Sequence, residues 1–494
     1  MAEFLSQITS VSSGSSDEDY DRRIRDLITY LQQPSRASEL SAASGYLLDN
    51  LDPYLHTLSY LSILLLKIQS LQGSNKSRLP EQIHPGRELW LKAIRFLRSF
   101  DPFQIRYAGH EWRQLVQLVV QAAEAVSKPL LAVLAVRDAI LRLDPSSEVL
   151  TSVHTTFVKL TLVSRSYSLA VPVLERQVCH FPAVTGQVYQ NYHQPLLCGE
   201  HEFSTAFITD ASGFSKQLTY RDHLQFFLYG AMIYMALKRW DRAHHYLSIV
   251  ISCPVTNAIS KIMVEGYKKW LLVSLLRNGK LAVHPDVVSS HVIKAYQSLV
   301  KPYTSLADAF EKGDYQRLKA EAEAAQSIWH LDNNTGLVHQ VIKAFTKCMT
   351  LKLGRTFSAL TMADVTQQAS DCSSPREVES LVASLVMSEA FSAVLLQSHE
   401  YDDTTMLRFS NPIKSLYSRE RCARGRIVKE GWQLGVIGRS ICQSNHGLEL
   451  SNEHFLFSQK SLRWSENSGK SNVSALNEAA GGVDIEEDIM GDIH

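Results

Sequence analysis

The residues of this chain that could hold a catalytic metal ion are first of all its 18 histidines. His110 and His201 are each followed by a glutamate, as in the His-Glu-x-x-His zinc motif, but neither has the second histidine of that motif. No His-x-His pair occurs either. His244 and His245 are adjacent, and adjacent residues of a helix point about 100° apart, which makes a poor chelate. The histidines therefore indicate core and surface positions rather than a metal site.

Nucleotide and thiol chemistry have no recognisable motif. The sequence contains neither Gly-x-x-x-x-Gly-Lys nor Gly-x-Gly-x-x-Gly, and Asn278-Gly279-Lys280 is typical of a turn that ends a helix. The seven cysteines never form a Cys-x-x-Cys pair, which indicates free thiols in a reducing, intracellular compartment. We therefore predict no catalytic residue, no metal and no cofactor. An enzyme would need distant histidines and acids that the fold brings together.

The elements that position these residues are almost all helical. From about Asp21 to Asn333 one amphipathic segment follows another, and many breaks fall at proline, as at Asp52-Pro53. Helices paired by short turns over this length predict an α-solenoid. The 494 residues, of which 45% are hydrophobic, suffice for roughly three domains.

One helix pair within the solenoid is similar to a tetratricopeptide repeat. Its small residues Gly230 and Ala243 are separated by one residue more than in the consensus. Small residues let two helices approach closely, so we expect Gly230 and Ala243 at helical-repeat packing contacts. A second, degenerate unit runs from Leu306 to Leu318, and its Gly313-Asp314 pair is expected to form the turn between two helices.

The next segment has the order of a winged helix. Residues 332–335 supply side-chain oxygens that can cap a long helix. Thr361 and Asp364 form the capping box of a short helix, while Ser374 and Pro375 begin a third. Two short apolar runs, 393–396 and 406–409, joined by a polar turn, complete a two-stranded hairpin.

This hairpin, the wing, is the expected site of protein binding. One face should pack on the third helix through Val382 and Leu385, while the other face and the open edge stay available for strand addition by a partner. A proline at Leu396 or Leu407 is expected to remove an edge N–H. The alternative is that both faces are buried within this domain. The expected wing-edge residues are Val394, Leu395, Leu396, Met406, Leu407 and Phe409.

DNA binding by the third helix is the alternative use of a winged helix. That helix carries Glu377, Glu379 and Glu389 against Arg376 alone, and two aspartates occupy the wing turn. The whole chain has 50 basic and 50 acidic side chains, so its formal net charge is zero. Because contacts of lysine and arginine with phosphate supply most non-specific affinity for DNA, the charges favour a protein partner.

A helical solenoid that runs into an acidic-faced winged helix resembles the PCI domain. Subunits of the proteasome lid, of the signalosome and of a eukaryotic translation initiation factor share that domain. Phe310, Gly313-Asp314 and residues 332–338 are similar to its junction. Further stretches are similar to the middle of the signalosome subunit three family, namely 151–154, 167–174, 227–238 and 266–275. The resemblance covers about residues 150–412.

The resemblance implies a non-catalytic scaffold subunit of the signalosome, which removes the ubiquitin-like modifier Nedd from cullins of cullin-RING ubiquitin ligases. Another subunit would hold the zinc ion. The implied partners are other PCI-domain and MPN-domain subunits, with cullin-RING ligases bound indirectly and with no DNA and no membrane. The implied location is cytoplasm and nucleus. The alternatives are a subunit of the proteasome lid or the translation factor, or a nucleic-acid-binding PCI protein of mRNA export.

Six segments are expected along the chain. They are a disordered acidic and serine-rich stretch 1–20, helical repeats 21–215, tetratricopeptide-like helices of the PCI domain 216–334, its winged helix 335–411, a helical or inserted segment 412–463, and a disordered acidic tail 464–494. The resemblance implies that a carboxyl-terminal helix joins a bundle built from the tails of all subunits. The basic stretch 418–425 and the apolar stretch 432–441 have no assignment.

Overall fold

The structure is a computed structural model, and it describes residues 16–72, 79–176, 178–182, 197–199, 203–254, 259–369, 375–387, 393–397, 405–409, 416–449, 456 and 460. Helices form nearly all of the described chain before residue 357, and a small region of helices and strands follows. The predicted mainly α fold with helical repeats is confirmed.

The solenoid consists of short helices that contact one another in sequence, as α-solenoids require. In chain order they are α1 (Asp17–Leu31), α2 (Pro34–Asn50), α3 (Thr57–Gln72), α4 (Glu88–Ser99), α5 (Pro102–Ile105), α6 (Gly109–Ala125), α7 (Leu130–Leu143), α8 (Ser152–Val163), α9 (Tyr167–Leu174), α10 (Tyr220–Ala236), α11 (Trp240–Ile251), α12 (Lys261–Asn278), α13 (Ser290–Leu299), α14 (Lys301–Lys312), α15 (Tyr315–Ala324) and α16 (Gln326–Leu331). Turns of 3-10 helix cover Glu81–Ile83 and Ser204–Ala206.

The helix boundaries follow local signals in the sequence. Pro34 and Pro102 each occupy the first position of a helix, where a missing N–H costs nothing. Asp101 caps α5 by accepting hydrogen bonds from two backbone N–H groups. Gly279 and Gly313 end α12 and α14 with φ angles of 68° and 79°, which glycine adopts without strain. The predicted turns at 278–280 and 313–314 are therefore confirmed.

The amino-terminal boundary differs from the sequence prediction. Helix α1 begins at Asp17, so residues 17–20 are helical rather than disordered. The reason is local: the Ser16 hydroxyl accepts from the backbone N–H of Asp19, and the acidic first turn interacts favourably with the helix dipole. Residues 1–15 and 464–494, also expected to be disordered, lie outside the described residues.

The solenoid core is rich in aromatic side chains that contact one another from repeat to repeat. Tyr60 and Phe96 stack with ring centroids 5.8 Å apart, and Trp112 meets Phe214 edge to face at the same separation. Further along, Tyr267 stacks on Tyr296 at 4.6 Å. Fully burying an aromatic side chain contributes about 1.5–3 kcal/mol, so these contacts make the solenoid one continuous stable unit.

The winged helix follows a long helix, α17 (Thr335–Thr356). Its further elements are β1 (Ala359–Thr361), α18 (Met362–Ala369), α19 (Pro375–Met387), β2 (Ala393–Gln397) and β3 (Thr405–Phe409). Thr361 caps α18 as predicted, because its hydroxyl accepts from the Asp364 N–H, and the same hydroxyl donates to the Asp364 carboxylate. Helix α19 begins at Pro375 as predicted, while Ser374 lies outside the described residues.

A single long helix, α20 (Leu416–Glu449), fills most of the segment that had no assignment from the sequence. Both the basic stretch 418–425 and the apolar stretch 432–441 lie on it. Most of its described side chains are exposed. No helix among the described residues is long and apolar enough to cross a membrane.

Candidate functional site

The wing is a three-stranded antiparallel sheet, so the prediction of two strands was wrong. Strand β3 lies in the middle, with β1 on one side and β2 on the other. The register pairs Val394 with Arg408, Leu395 with Leu407 and Leu396 with Met406. Met406, Leu407 and Phe409 therefore belong to the central strand, and only the residues of β2 lie at the edge that was expected to bind a partner.

The two faces of the wing differ in exposure because side chains alternate along a strand. On the outer face Val394 is 51%, Leu396 46% and Met406 41% exposed. On the inner face Leu407 is fully buried, and Leu395 and Phe409 are half-buried against the core. Three of the six expected wing-edge residues thus face outward, while the other three stabilise the wing itself.

The inner face holds the wing to the rest of the winged helix. Adding a Cβ to Gly354 of α17 would bring it 2.8 Å from the Phe409 ring, so this glycine lets the ring lie directly on the helix. The Thr405 hydroxyl donates to the Glu379 carboxylate of α19 at 2.8 Å. Val382 is fully buried and Leu385 nearly so, in agreement with their predicted role under the wing. Glu379, one of the acids that argued against DNA binding, is therefore hydrogen-bonded to the wing.

The backbone groups that lie at the open edge of β2 follow from the strand register and one hydrogen bond. The Phe409 N–H donates to the Ser358 carbonyl on the β1 side at 2.8 Å. Because N–H directions alternate along an antiparallel strand, the N–H of Leu407 also points to β1. The N–H groups of Met406 and Arg408 point to β2. The backbone N–H and C=O groups of Val394 and Leu396 on β2 must then form hydrogen bonds with β3. The backbone N–H and C=O of Leu395 consequently face the open side.

This assignment corrects the expected effect of proline. A proline at Leu396 would remove a hydrogen bond of the β2–β3 ladder, and one at Leu407 would remove a bond between β3 and β1. Neither residue has an edge N–H. The residue whose N–H can be removed without breaking the sheet is Leu395.

The junction between solenoid and winged helix is a polar cluster rather than a set of helix caps. The Asp332 carboxylate accepts from Lys268 Nζ at 2.6 Å and from the Tyr303 hydroxyl at 2.8 Å. The Asn334 amide donates to the Tyr303 oxygen at 2.8 Å, and Asn334 makes no side-chain cap on α17. Burial raises the pKa of Tyr303 far above its ordinary value, so the hydroxyl keeps its proton. The predicted capping by residues 332–335 was therefore wrong, because these side chains join α12, α14 and α17.

Gly230 and Ala243 lie between two packed helices. A Cβ at Gly230 would stand 2.7 Å from the Tyr246 ring on α11 and 3.3 Å from Leu174 on α9. The Tyr246 hydroxyl donates to the Leu174 carbonyl at 2.8 Å, which fixes that ring in place. Ala243 has no exposed surface. A larger side chain at Gly230 would have to displace a ring that is hydrogen-bonded across the repeat.

Two of the histidines with lowered pKa values occupy packing positions in the described chain. His154 is buried in the capping box of α8, where burial lowers its pKa to about 4. His244 lies on Trp270 with ring centroids 5.3 Å apart, and burial, followed by Arg277, lowers its pKa to about 4. Within the ranges that the structure describes, no group of three or more His, Cys, Asp or Glu residues could hold a metal ion.

Helix α20 has two faces of different character that the sequence did not reveal. Trp432, Val436 and Arg439 recur at helical spacing and line a cavity of about 440 Å³ against α9 and the α7–α8 turn. On the opposite side, exposed apolar residues recur mainly every seven positions, which is the spacing of a helix–helix seam. They are Ile427, Leu434, Ile437, Ile441 and Leu448. The seven-residue period was visible in the sequence, but the glycines among these residues concealed the helix.

The sequence of this chain is similar to sequences of known proteins. A family model described as COP9 signalosome complex subunit 3, N-terminal helical repeats, matches residues 21–293. A protein of Emericella nidulans named COP9 signalosome complex subunit 3 is 49% identical, over 100% of both chains. The protein of that name in Dictyostelium discoideum is 26% identical over 71% of this chain and 73% of its own. The one in Arabidopsis thaliana is 25% identical over 79% of this chain and 80% of its own.

Proposed function

The chain belongs to the COP9 signalosome subunit 3 family, and we propose that it is a non-catalytic scaffold subunit of the signalosome, the assembly that removes Nedd from the cullins of cullin-RING ligases. Its direct partners are other PCI-domain and MPN-domain subunits, and it acts in cytoplasm and nucleus. Family membership favours this function over the proteasome-lid, translation-factor and mRNA-export alternatives. The absence of zinc motifs from the sequence supports a subunit that leaves the chemistry to another chain.

The observation that carries this proposal is the open edge of β2. It offers the N–H and C=O of Leu395 beside the exposed side chains Val394 and Leu396. An extended strand of a neighbouring subunit can pair with such an edge, with backbone hydrogen bonds for affinity and the outer face for contact. The apolar seam of α20 provides a second attachment, to helices from the tails of other subunits. In this proposal the helical repeats form an arm and the winged helix binds a neighbouring subunit. The segment that follows the winged helix joins a bundle of subunit tails.

The decisive experiment co-expresses the other subunits with a chain carrying Leu395→Pro. We expect this variant to fold, because its lost N–H has no partner within the sheet, and to enter the complex at least tenfold less than wild type. Leu395→Ala is the matched control, since it removes the same side chain but keeps the N–H, and should assemble nearly normally. Equal assembly of the proline variant and wild type, with wild-type thermal stability, would refute binding through this edge.

A further inference from the structure

A cluster of large apolar side chains is exposed at one edge of the solenoid, far from the wing. Helix α6 ends, α7 begins and α8 ends around a groove of about 340 Å³. Five side chains in and beside the groove are 38–64% exposed, and we name them the α7 patch: Val126, Leu130, Leu131, Leu134 and Val163. Contiguous exposed apolar surface on a soluble domain marks a binding site more often than an accident of packing.

The rim of the α7 patch is basic. Lys128 lines the groove, Lys159 lies one turn before Val163 on α8, and Arg165 follows that helix. All three side chains are exposed, whereas Glu124 is the acid at the end of α6. Apolar anchors within a basic rim fit a segment that combines aliphatic and acidic residues.

The sequence contains such a segment near its end, outside the described residues. Ile485, Ile489 and Ile493 recur at intervals of four, which would place them on one face of a helix. Five acids lie among them: Asp484, Glu486, Glu487, Asp488 and Asp492. We propose that this tail segment, residues 484–493, binds the α7 patch of its own chain as a short amphipathic helix, with the isoleucines in the groove and the acids toward the basic rim.

The chain is long enough for this contact. Helix α20 shares a cavity with residues of the α7–α8 turn, at the end of α7 opposite the patch. Helix α7 has 14 residues and is therefore about 21 Å long. Residues 450–483 connect α20 to the tail segment and can span at most about 120 Å when fully extended. Since tethering gives an effective concentration in the millimolar range, even weak intrinsic affinity would keep the patch covered.

The test uses the full chain with a disabled tail, Ile485→Asp combined with Ile489→Asp. Hydrogen exchange at residues 126–134 and 159–165 should be several-fold faster in this variant than in wild type. A labelled peptide of residues 481–494 should bind the variant saturably, less tightly as salt is raised, and at least tenfold more weakly to wild type, whose patch is occupied. Unchanged exchange, or no saturable binding, would overturn the proposal.

A matched pair of substitutions locates the binding site. In the disabled-tail background, Leu131→Glu should abolish peptide binding, while Leu91→Glu on α4 should leave it unchanged. Leu131 is 48% and Leu91 61% exposed, so neither change disturbs the core. Equal effects of the two substitutions would contradict the assignment. Protection of the patch that disappears on dilution of wild type would show a tail bound to a second copy and would also overturn it.

Discussion

The solenoid and the wing differ in how far they bury their apolar residues. In the solenoid Trp112, Tyr234 and Trp270 are almost completely buried. In the wing, every second residue of the outer strands and of β3 points away from the core, and several of those residues are aliphatic. The difference shows where stability resides: apart from the α7 patch and scattered side chains, the solenoid buries its large apolar residues between its own helices, whereas the wing and α20 leave aliphatic side chains exposed.

The largest difference in stability should come from replacing a tryptophan with alanine in the solenoid and, separately, on α20. Trp270 is fully buried, stacks on Tyr267 and donates to the Ser248 hydroxyl, so Trp270→Ala should destabilise the chain by about 3–5 kcal/mol. Trp432 on α20 is 47% exposed, and Trp432→Ala should change the free energy of unfolding by less than about 1 kcal/mol. Chemical denaturation of both variants measures the contrast, and similar losses would break it.

Within the wing, neighbouring residues should behave as differently as the two regions do. Leu407 is fully buried under the sheet, so Leu407→Ala should cost about 2–5 kcal/mol of winged-helix stability. Met406 is 41% exposed, and Met406→Ala should be nearly neutral for folding while it weakens assembly. Limited proteolysis of the free chain and co-expression with the other subunits report the two effects. A destabilised Met406→Ala chain would show that the outer face is not available.

Overpacking tests the solenoid at a helix contact. Gly230→Leu must displace the hydrogen-bonded Tyr246 ring and should cost about 1–3 kcal/mol. Gly431 on α20 has no neighbouring atom within 4 Å of an added Cβ, so Gly431→Leu should not lower stability. Thermal unfolding compares the two. An unchanged melting temperature for Gly230→Leu would mean that α10 and α11 do not pack closely at this position.

Lowering the pH should destabilise the solenoid through protonation of His154. Burial lowers the pKa of this histidine from 6.5 to about 4, so folding favours the neutral ring. Its contribution is complete above pH about 6.5 and is lost progressively as the pH falls from about 6.5 to about 4, which amounts to about 2 kcal/mol between pH 7 and pH 5. His154→Gln retains an acceptor for the capping box and should flatten this dependence, unlike His330→Gln at an exposed position. Parallel pH profiles for wild type and His154→Gln would contradict the assignment.

The sequence predicted those elements whose signals are local. The helix cap of Thr361 with Asp364 and the start of α19 at Pro375 involve residues close together in the chain, and both are present. Residues 332–335 have the same local signal, but Asp332 finds partners 29 and 64 residues away, and these distant contacts decide its role. Strand β1 has three residues, too few to show alternation.

Helix α20 was missed for a different physical reason. Its glycines, at 425, 431, 435, 438 and 447, are typical of turns, yet the helix runs through all of them. Their signal competes with the seven-residue apolar period, so the sequence predicted only a helical or inserted segment over 412–463 and not the bounds of this helix. The edge atoms of Leu395 could not be assigned before the register was known, because a shift of one residue would exchange the inner and outer faces.

The glycines of α20 also bear on the fate of surplus copies of the chain. Each glycine lowers helix stability by about 1 kcal/mol relative to alanine, so the five in this helix leave it marginal whenever its apolar seam is uncovered. A copy that finds no partners would unwind there and expose Ile427, Leu434 and Ile441 on an extended chain, which proteases and chaperones bind readily. The helix that completes assembly would in this way also limit the lifetime of subunits made in excess.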